Sequence, residues 1–598
     1  MAPGSENGAG NAREWWLHAA LFLLALLMAL KYFPGLENAE PYAGNVFQAI
    51  YPGAFPGDPY IGPERPLLDK PFQLSLFYVL VKLGGDIWLD DRFVAIVYLG
   101  LAFVALIGID RIVSLACGGD MATRLAAQLI LMRDHGLLKN QVFLSQQMDV
   151  YHGTFAIPIA VWLIYATLAR KSLWAVLAMS ALLAAVSIKN APYLVMICLI
   201  IVAIQGSGRE RAAVGGLFVL GAAVAYYGFF HLIPLSFDER VKIWELMLHV
   251  YEGADANPFH PFPDMPSTVM KNAVFILMLS FAMFVAGPKN AAMRGMRVFV
   301  ALGLALWLVG GLYFTFAPDA LKLPQILPFS FVRSLRWPQT VAYLAIMTGL
   351  FHWLMEEGGA ARIAATAAGV LFLLVIGPAN HFLWAGLFAV SGAAVFAGHF
   401  AKDRIGHQGA AMPFTGRIAE RKSLILAQAL ALTIAVAFIS TIATKRLDHW
   451  LALGQTGLFG ASDTYKWSGV AEYLRANTPP DAVVLPIEYD PEKPGGLISR
   501  RHLGSRSGRT IPIITTYSSI FSTEGNEREN RLLRALQRVH EAILAKRWSE
   551  AEEALQGLPL VPDYLVLPVD LFGSGEEGAV PFQETARMGG FVILRRKS

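Results

Sequence analysis

The chain has 598 residues, 55% of them hydrophobic and only 16% charged, with a mean hydropathy of +0.47. The charge content is below the usual quarter and the apolar residues arrive in membrane-length blocks, which excludes a single soluble domain. The formal net charge is only +4, so its distribution says more than its sum, and no nucleic-acid partner is expected. The two cysteines, Cys117 and Cys198, suggest neither a disulfide nor a cysteine metal site. The first apolar run, Trp15 to Phe33, is long enough to span and lacks a small-residue cleavage site. It reads as a retained anchor.

Between this run and the next, which starts near Arg92, lies a loop over 34–91 whose centre is Glu37 to Pro71. That stretch holds the carboxylates Glu37, Glu40, Asp58, Glu64 and Asp69, together with Pro41, Pro52, Pro56, Pro59, Pro63 and Pro66. A connection that only reversed the chain would be far shorter. Proline after Asp58 pushes its backbone towards extended geometry, a way to hold a carboxylate still. The alternative is that Gly57-Asp58-Pro59 is an ordinary turn. The apolar piece Phe72 to Leu83 is too short to cross and reads as an amphipathic helix lying in a membrane interface.

Thirteen apolar runs read as spans, near 15–33, 92–115, 121–135, 152–169, 172–188, 191–207, 213–233, 269–287, 297–315, 338–355, 361–377, 380–398 and 423–443. The third is the weakest, being short and carrying Arg124 and Arg133. With a cytoplasmic N-terminus, the inside loops hold Arg111 and Arg124, Arg170 and Lys171, Arg209 and Arg211, and Lys289, Arg294 and Arg297. The later ones hold Arg362, then Lys402, Arg404, Arg417, Arg421 and Lys422. This positive-inside alternation requires the third span, because dropping it would invert everything that follows.

From Thr444 the composition becomes that of a soluble domain. Tyr465 to Ala476 reads as a helix, Ala482 to Pro486 as a strand, and Arg528 to Leu555 as one or two polar helices. Tyr564 to Pro568 and Gly590 to Leu594 are short apolar runs of strand type. The expected fold is therefore an α-helical polytopic membrane protein of about 13 spans with a C-terminal α/β domain. We place the membrane domain at 1–443 and an extracytoplasmic α/β domain at 444–598.

Phosphate-loop, zinc-protease and nucleophile-elbow motifs are absent, which leaves the outer-face loops. Asp149 precedes His152 by three residues where a span begins, a spacing that shares a helix face; the alternative is a helix N-cap. The third loop carries His249 and His260, which as lone histidines are also ordinary solvated residues. Arg333 and Arg336 stand before a late span, on the side that the usual charge bias disfavours. Arginine binds phosphate bidentately, although two interfacial anchors would look the same. Arg500, Arg501, Arg506 and Arg509 crowd a Gly/Ser-rich loop suited to an anionic or glycan acceptor, or simply solvated.

Many spans, an acidic first outer loop with an interfacial helix, and a soluble C-terminal domain resemble the GT-C class of glycosyltransferases. The matching stretches are Glu37-Asn-Ala-Glu40-Pro-Tyr and the Tyr51–Tyr60 segment with Asp58, where the common Asp-Glu pair is replaced by Glu37 and Glu40. ProPheSerPheValArgSerLeuArg before a late span and the Trp467–Val484 segment opening the outer domain resemble bacterial members of the class. The resemblance implies an inverting transfer of a sugar from a polyprenyl-phosphate donor to a glycan, lipid or protein acceptor. The site would be at the outer face of the cytoplasmic membrane. Asp58 is then the expected catalytic base, with Glu40 and Asp69 as alternatives. Arg333 and Arg336 clamp the donor phosphate, and Asp149, His152, His249 and His260 are secondary or acceptor-side residues. A divalent cation, Mg or Mn, would be held by Asp58 and Asp149. The rival readings are a transporter or flippase of lipid-linked saccharides, and a polysaccharide polymerase or ligase.

Overall fold

The computed structural model describes residues 14–26, 46, 48–53, 75–89, 91–118, 120–131, 152–187, 191–227, 236–241, 244, 276, 279–280, 282–284, 287–323, 334–357, 428, 436, 465–487, 535–536, 538–558, 560–572, 581–588 and 590–597. Up to residue 357 the described elements are helical. They are α1 (Glu14–Leu26), α2 (Leu76–Gly84), α3 (Asp91–Cys117), α4 (Met121–Leu131), α5 (His152–Leu168) and α6 (Leu173–Val186). Then come α7 (Ala191–Gln205), α8 (Gly208–Tyr227), α9 (Ala291–Phe316) and α10 (Arg336–Glu357). Two of these contain segments long and apolar enough to cross a membrane by length and composition, Ile96–Cys117 and Ala291–Tyr313. Glu14–Leu26, Gly153–Leu168, Leu173–Val186 and Ala191–Gln205 are shorter apolar helices. The expected spans over 361–377 and 380–398 lie outside the described residues.

These helices pack antiparallel in sequence, and the contacts at their ends show it. At one end the Ser75 hydroxyl donates to Val186 O at the close of α6. There Phe77 meets Phe155, near the start of α5, with ring centroids 5.3 Å apart. At the opposite end Asn290 caps α9 by accepting from Met293 N–H, and its amide donates to Ala116 O near the end of α3 at 2.7 Å. Arg170, just past α5, donates to Gln205 Oε1 at the end of α7. The α9–α10 pair runs antiparallel as well, because Gly303 lies against Pro338 whereas Gly287 lies against Gly349. A methyl group at Gly303 would come within 2.0 Å of Pro338 Cγ, so only glycine allows this approach. The shared core includes Leu21, Leu106, Ile157, Ile197, Phe299 and Tyr343.

α4, 11 residues long, carries a charge into this core. Arg124 is 3% exposed and Asp110 of α3 is fully buried. The guanidinium donates to both oxygens of Asp110, Nε to Oδ1 at 2.7 Å and Nη2 to Oδ2 at 2.5 Å. Its remaining face reaches Glu14 of α1, with Nη1 to Oε1 at 2.7 Å. The forked geometry satisfies a planar cation with two carboxylates, and this is why an arginine can stand in so apolar a helix. One turn on, Gln128 donates to Leu106 O, so α4 is tied to α3 twice.

The C-terminal elements form a four-stranded sheet of order β1-β2-β4-β3, with β1 at Val484–Pro486, β2 at Tyr564–Pro568, β3 at Phe582–Met588 and β4 at Phe591–Arg596. β1 and β2 are parallel and the other pairs antiparallel. Alternation sends Val484, Tyr564, Val566, Phe591 and Ile593 to one face, where Val470, Ala471 and Leu474 of α11 (Tyr465–Asn477) cover them. Leu485, Leu565, Leu567, Val592 and Leu594 face the other side. There they meet helical residues 538–544 and α12 (Trp548–Gln556), both within the β1–β2 crossover. With both faces buried, the inner strands read as continuous apolar runs.

Removing Arg124 alone leaves Asp110 buried without its counter-charge, and the Arg124→Leu variant should lose about 3–5 kcal/mol of stability. The double variant Asp110→Leu/Arg124→Leu should recover most of that loss in thermal unfolding of the purified protein in detergent. A double variant that loses as much as Arg124→Leu alone would show that the pair itself holds the helices.

Glu14 is held below its ordinary value of 4.5, first by the hydrogen bond from Arg124. A carboxyl lowered in the folded state contributes fully above its unfolded value and loses that contribution as pH falls below it. Thermal stability of the parent should therefore drop more steeply below pH 4.5 than that of Glu14→Gln. Parallel profiles would exclude the contribution.

Candidate functional site

Of the acids expected at the site, Glu40, Asp58, Asp69 and Asp149 lie outside the described residues, as do His249, His260 and Arg333. The structure does describe what brackets the first loop and where His152 and Arg336 stand. Residues 48–50 are helical and continue into the turn at Tyr51. Val46, Ala49 and Ile50 pack on the buried side of α2, against Phe77, Tyr78 and Val81. A 3₁₀ turn, Gly85–Leu89, then leads α2 towards α3. Its Trp88 stacks edge-on to Phe77 and Phe93, at 5.8 and 5.2 Å between centroids. The Tyr51 hydroxyl donates to Asp86 Oδ1 at 2.6 Å, closing the loop segment onto the turn. That bond raises the Tyr51 phenol above its ordinary range.

Ser75 decides where α2 begins. Its side chain accepts from Phe77 N–H as a helix cap, and the same hydroxyl donates to Val186 O. One residue thus starts the helix and fixes it to the bundle. The opposite side of α2 is not polar: Leu76, Val79, Leu80 and Leu83 are exposed, Leu83 at 79%, and Ile87 follows in the turn. The sequence suggested an amphipathic helix. The structure shows apolar side chains on both faces, with Lys82 and Asp86 as the exposed charges between them.

His152 is the first residue of α5, three positions before Phe155, which packs against Phe77 and Trp88. It therefore opens its helix at the end of the bundle that α2 covers. Arg336 opens α10 beside the middle of α9, where Pro338 lies against Gly303. The Arg336 guanidinium lies over the Trp337 ring at 5.5 Å, a cation–π contact. Its carbonyl accepts from Thr340 Oγ1, one turn into the helix. The structure thus brings His152 to the end of the bundle that carries the anchors of the acidic loop, and sets Arg336 beside the middle of α9.

Asp110 has the most buried carboxylate described, and the sequence reading did not single it out. The signal was present: an acid within an apolar run and an arginine in the next. Tyr51 and Asp86 were missed as well, because residues 35 apart show no local pattern. No group of three or more His, Cys, Asp or Glu side chains that could hold a metal ion occurs among the described residues. No family model matches the chain, and no curated protein matches it by sequence.

Phe77 is the point where the loop segment, the 3₁₀ turn and α5 meet. Phe77→Ala should cost about 3–5 kcal/mol in this layer, and hydrogen exchange over 75–89 should speed up while that of α3 and α9 stays unchanged. Uniform exchange changes across the bundle would show that α2 is not a separable layer.

Proposed function

We propose that this chain is a membrane glycosyltransferase of GT-C type, moving a sugar from a polyprenyl-phosphate donor to a glycan, lipid or protein acceptor. One observation carries the reading. Helix α2, apolar on its outward side, covers the bundle end at which His152 opens α5, and it directly follows the acidic, proline-rich loop. An apolar surface at a membrane interface suits a polyprenyl chain, an arginine suits its phosphate, and a nearby carboxylate suits deprotonation of the acceptor.

In this reading the bundle spans the cytoplasmic membrane with its N-terminus inside, and the α2 end faces outward. The domain from residue 444 then lies on the outer side, where it can meet the acceptor. Asp58 takes the proton from the acceptor hydroxyl or amine as that atom attacks the anomeric carbon, and the polyprenyl phosphate leaves as an anion. Glu40 and Asp69 are the alternative bases. Arg333 and Arg336 neutralise the departing charge, while Asp149, His152, His249 and His260 stand on the acceptor side. A Mg or Mn ion, if bound, would be held by Asp58 and Asp149 and would supply further neutralisation.

The test is transfer from a radiolabelled polyprenyl-phosphate sugar by the purified chain in nanodiscs. Asp58→Asn keeps the size of the side chain and removes the proton acceptor. Turnover should fall roughly 10²- to 10⁴-fold with donor affinity nearly unchanged. Parent-like turnover would move the base to Glu40. Movement of lipid-linked saccharide across the bilayer without any transfer would replace the enzyme by a transporter.

A further inference from the structure

The head of α10 contains two buried donors that nothing in the structure satisfies. Ser334 is 1% exposed and Trp337 3% exposed, yet neither Ser334 Oγ nor Trp337 Nε1 has a hydrogen-bond partner. Such groups are rare in folded proteins, and each asks for an explanation. The serine is the more telling of the two. Ser75, Ser172 and Ser207 stand just before helices α2, α6 and α8, and their hydroxyls accept from first-turn N–H groups. Ser334 precedes a helix too, through a short 3₁₀ turn, but its hydroxyl is not used as a cap.

The surroundings share one sign. α10 is 22 residues long, so its N-terminus carries the positive end of a full helix dipole. Pro338 in the first turn has no N–H to offer, which removes one of the backbone donors there. Arg336, half-buried, adds a full positive charge whose guanidinium lies 5.5 Å from the Trp337 ring. Ser334 and Trp337 are three residues apart, a spacing that puts both on one side of the opening turn. A helix N-terminus with neutral donors and an arginine is a receptor for a tetrahedral oxyanion, whose oxygens accept several bonds at once. Neither orphaned group is a base, so the site is built to bind rather than to react.

We propose that Ser334 Oγ and Trp337 Nε1, with Arg336 at the head of α10, form a binding site for a phosphate group, either a lipid phosphate or free phosphate. The choice of a polyprenyl phosphate rests on the glycosyltransferase reading; the phosphate site itself rests on the two buried donors. Phosphate oxygens satisfy the hydroxyl and the indole, and the guanidinium balances the charge.

The experiment measures equilibrium binding to the full chain in nanodiscs, with a polyprenyl monophosphate and inorganic phosphate as the two probes. Trp337→Phe keeps the ring and removes the N–H; Ser334→Ala removes the hydroxyl, and Ser334→Thr restores one. Each of the first two should weaken binding roughly tenfold or more, the effect of losing a bond to a charged group, and Ser334→Thr should bind like the parent. Tight binding of the lipid phosphate with weak competition by inorganic phosphate identifies a headgroup site. Equal binding of both probes, weakened alike by the variants, identifies a site for free phosphate. The proposal fails if the parent binds neither probe, or if Trp337→Phe and Ser334→Ala both bind like the parent. Phosphate binding that persists in a chain with no sugar transfer would sink the enzyme reading and leave this site standing.

Discussion

Arg124 is the interaction on which the helical bundle depends. A guanidinium inside an apolar core is tolerable only when its donors and its charge are met, and Asp110 and Glu14 meet both. Each partner comes from a different helix, so one side chain sets the relative positions of α1, α3 and α4. The consequence extends beyond those three. α10 packs along α3 and α4, and α9 packs along α10, so the register fixed at Arg124 passes through to the helix that presents Arg336. Replacing the pair by leucines would fill a similar volume, whereas breaking it leaves a charge in the core. The ion pair therefore acts on the choice of neighbour more than on raw stability.

The same rule about polar groups in apolar surroundings explains the other end of the bundle. Ser75 satisfies an N–H of α2 and a carbonyl of α6 with one hydroxyl, and so anchors a short helix that would be marginal alone. α2 then offers apolar side chains to both sides, Phe77 and Val81 inward, Val79 and Leu83 outward. A helix of this kind needs an apolar environment on its outer side as well. That requirement and the acidity of the preceding loop are what join in the proposed function.

The sheet at the C-terminal end is built on a different principle. Its inner strands bury both faces, so hydrophobicity alone cannot tell which residue points where, and the parallel β1–β2 pairing requires the long crossover that carries α12. Glu552 of α12 meets Arg596 of β4 at 2.6 Å, a partly covered pair that ties the crossover helix to the last strand.

Pattern along the chain locates many of the described helices and three of the four strands of the sheet. Length and apolarity placed α3, α5, α6, α7, α9 and α10, and the short runs at Tyr564–Pro568 and Gly590–Leu594 became β2 and β4. β3 escaped, because its alternation of exposed and buried residues includes Glu584 and Arg587, charges that read as loop. The basic alternation argued for keeping the run with Arg124 as a helix of the bundle, but not for how its charge is met. Packing settles that, since Asp110 and Glu14 are 14 and 110 residues away and a charge pair leaves no local period. The candidate site divides in the same way. Arg336 and His152 were legible as polar residues at helix starts, a property of the local pattern. That His152 shares an end of the bundle with α2, and that Ser334 and Trp337 are buried without partners, depends on which helices pack together, and packing is set by surfaces far apart in the chain.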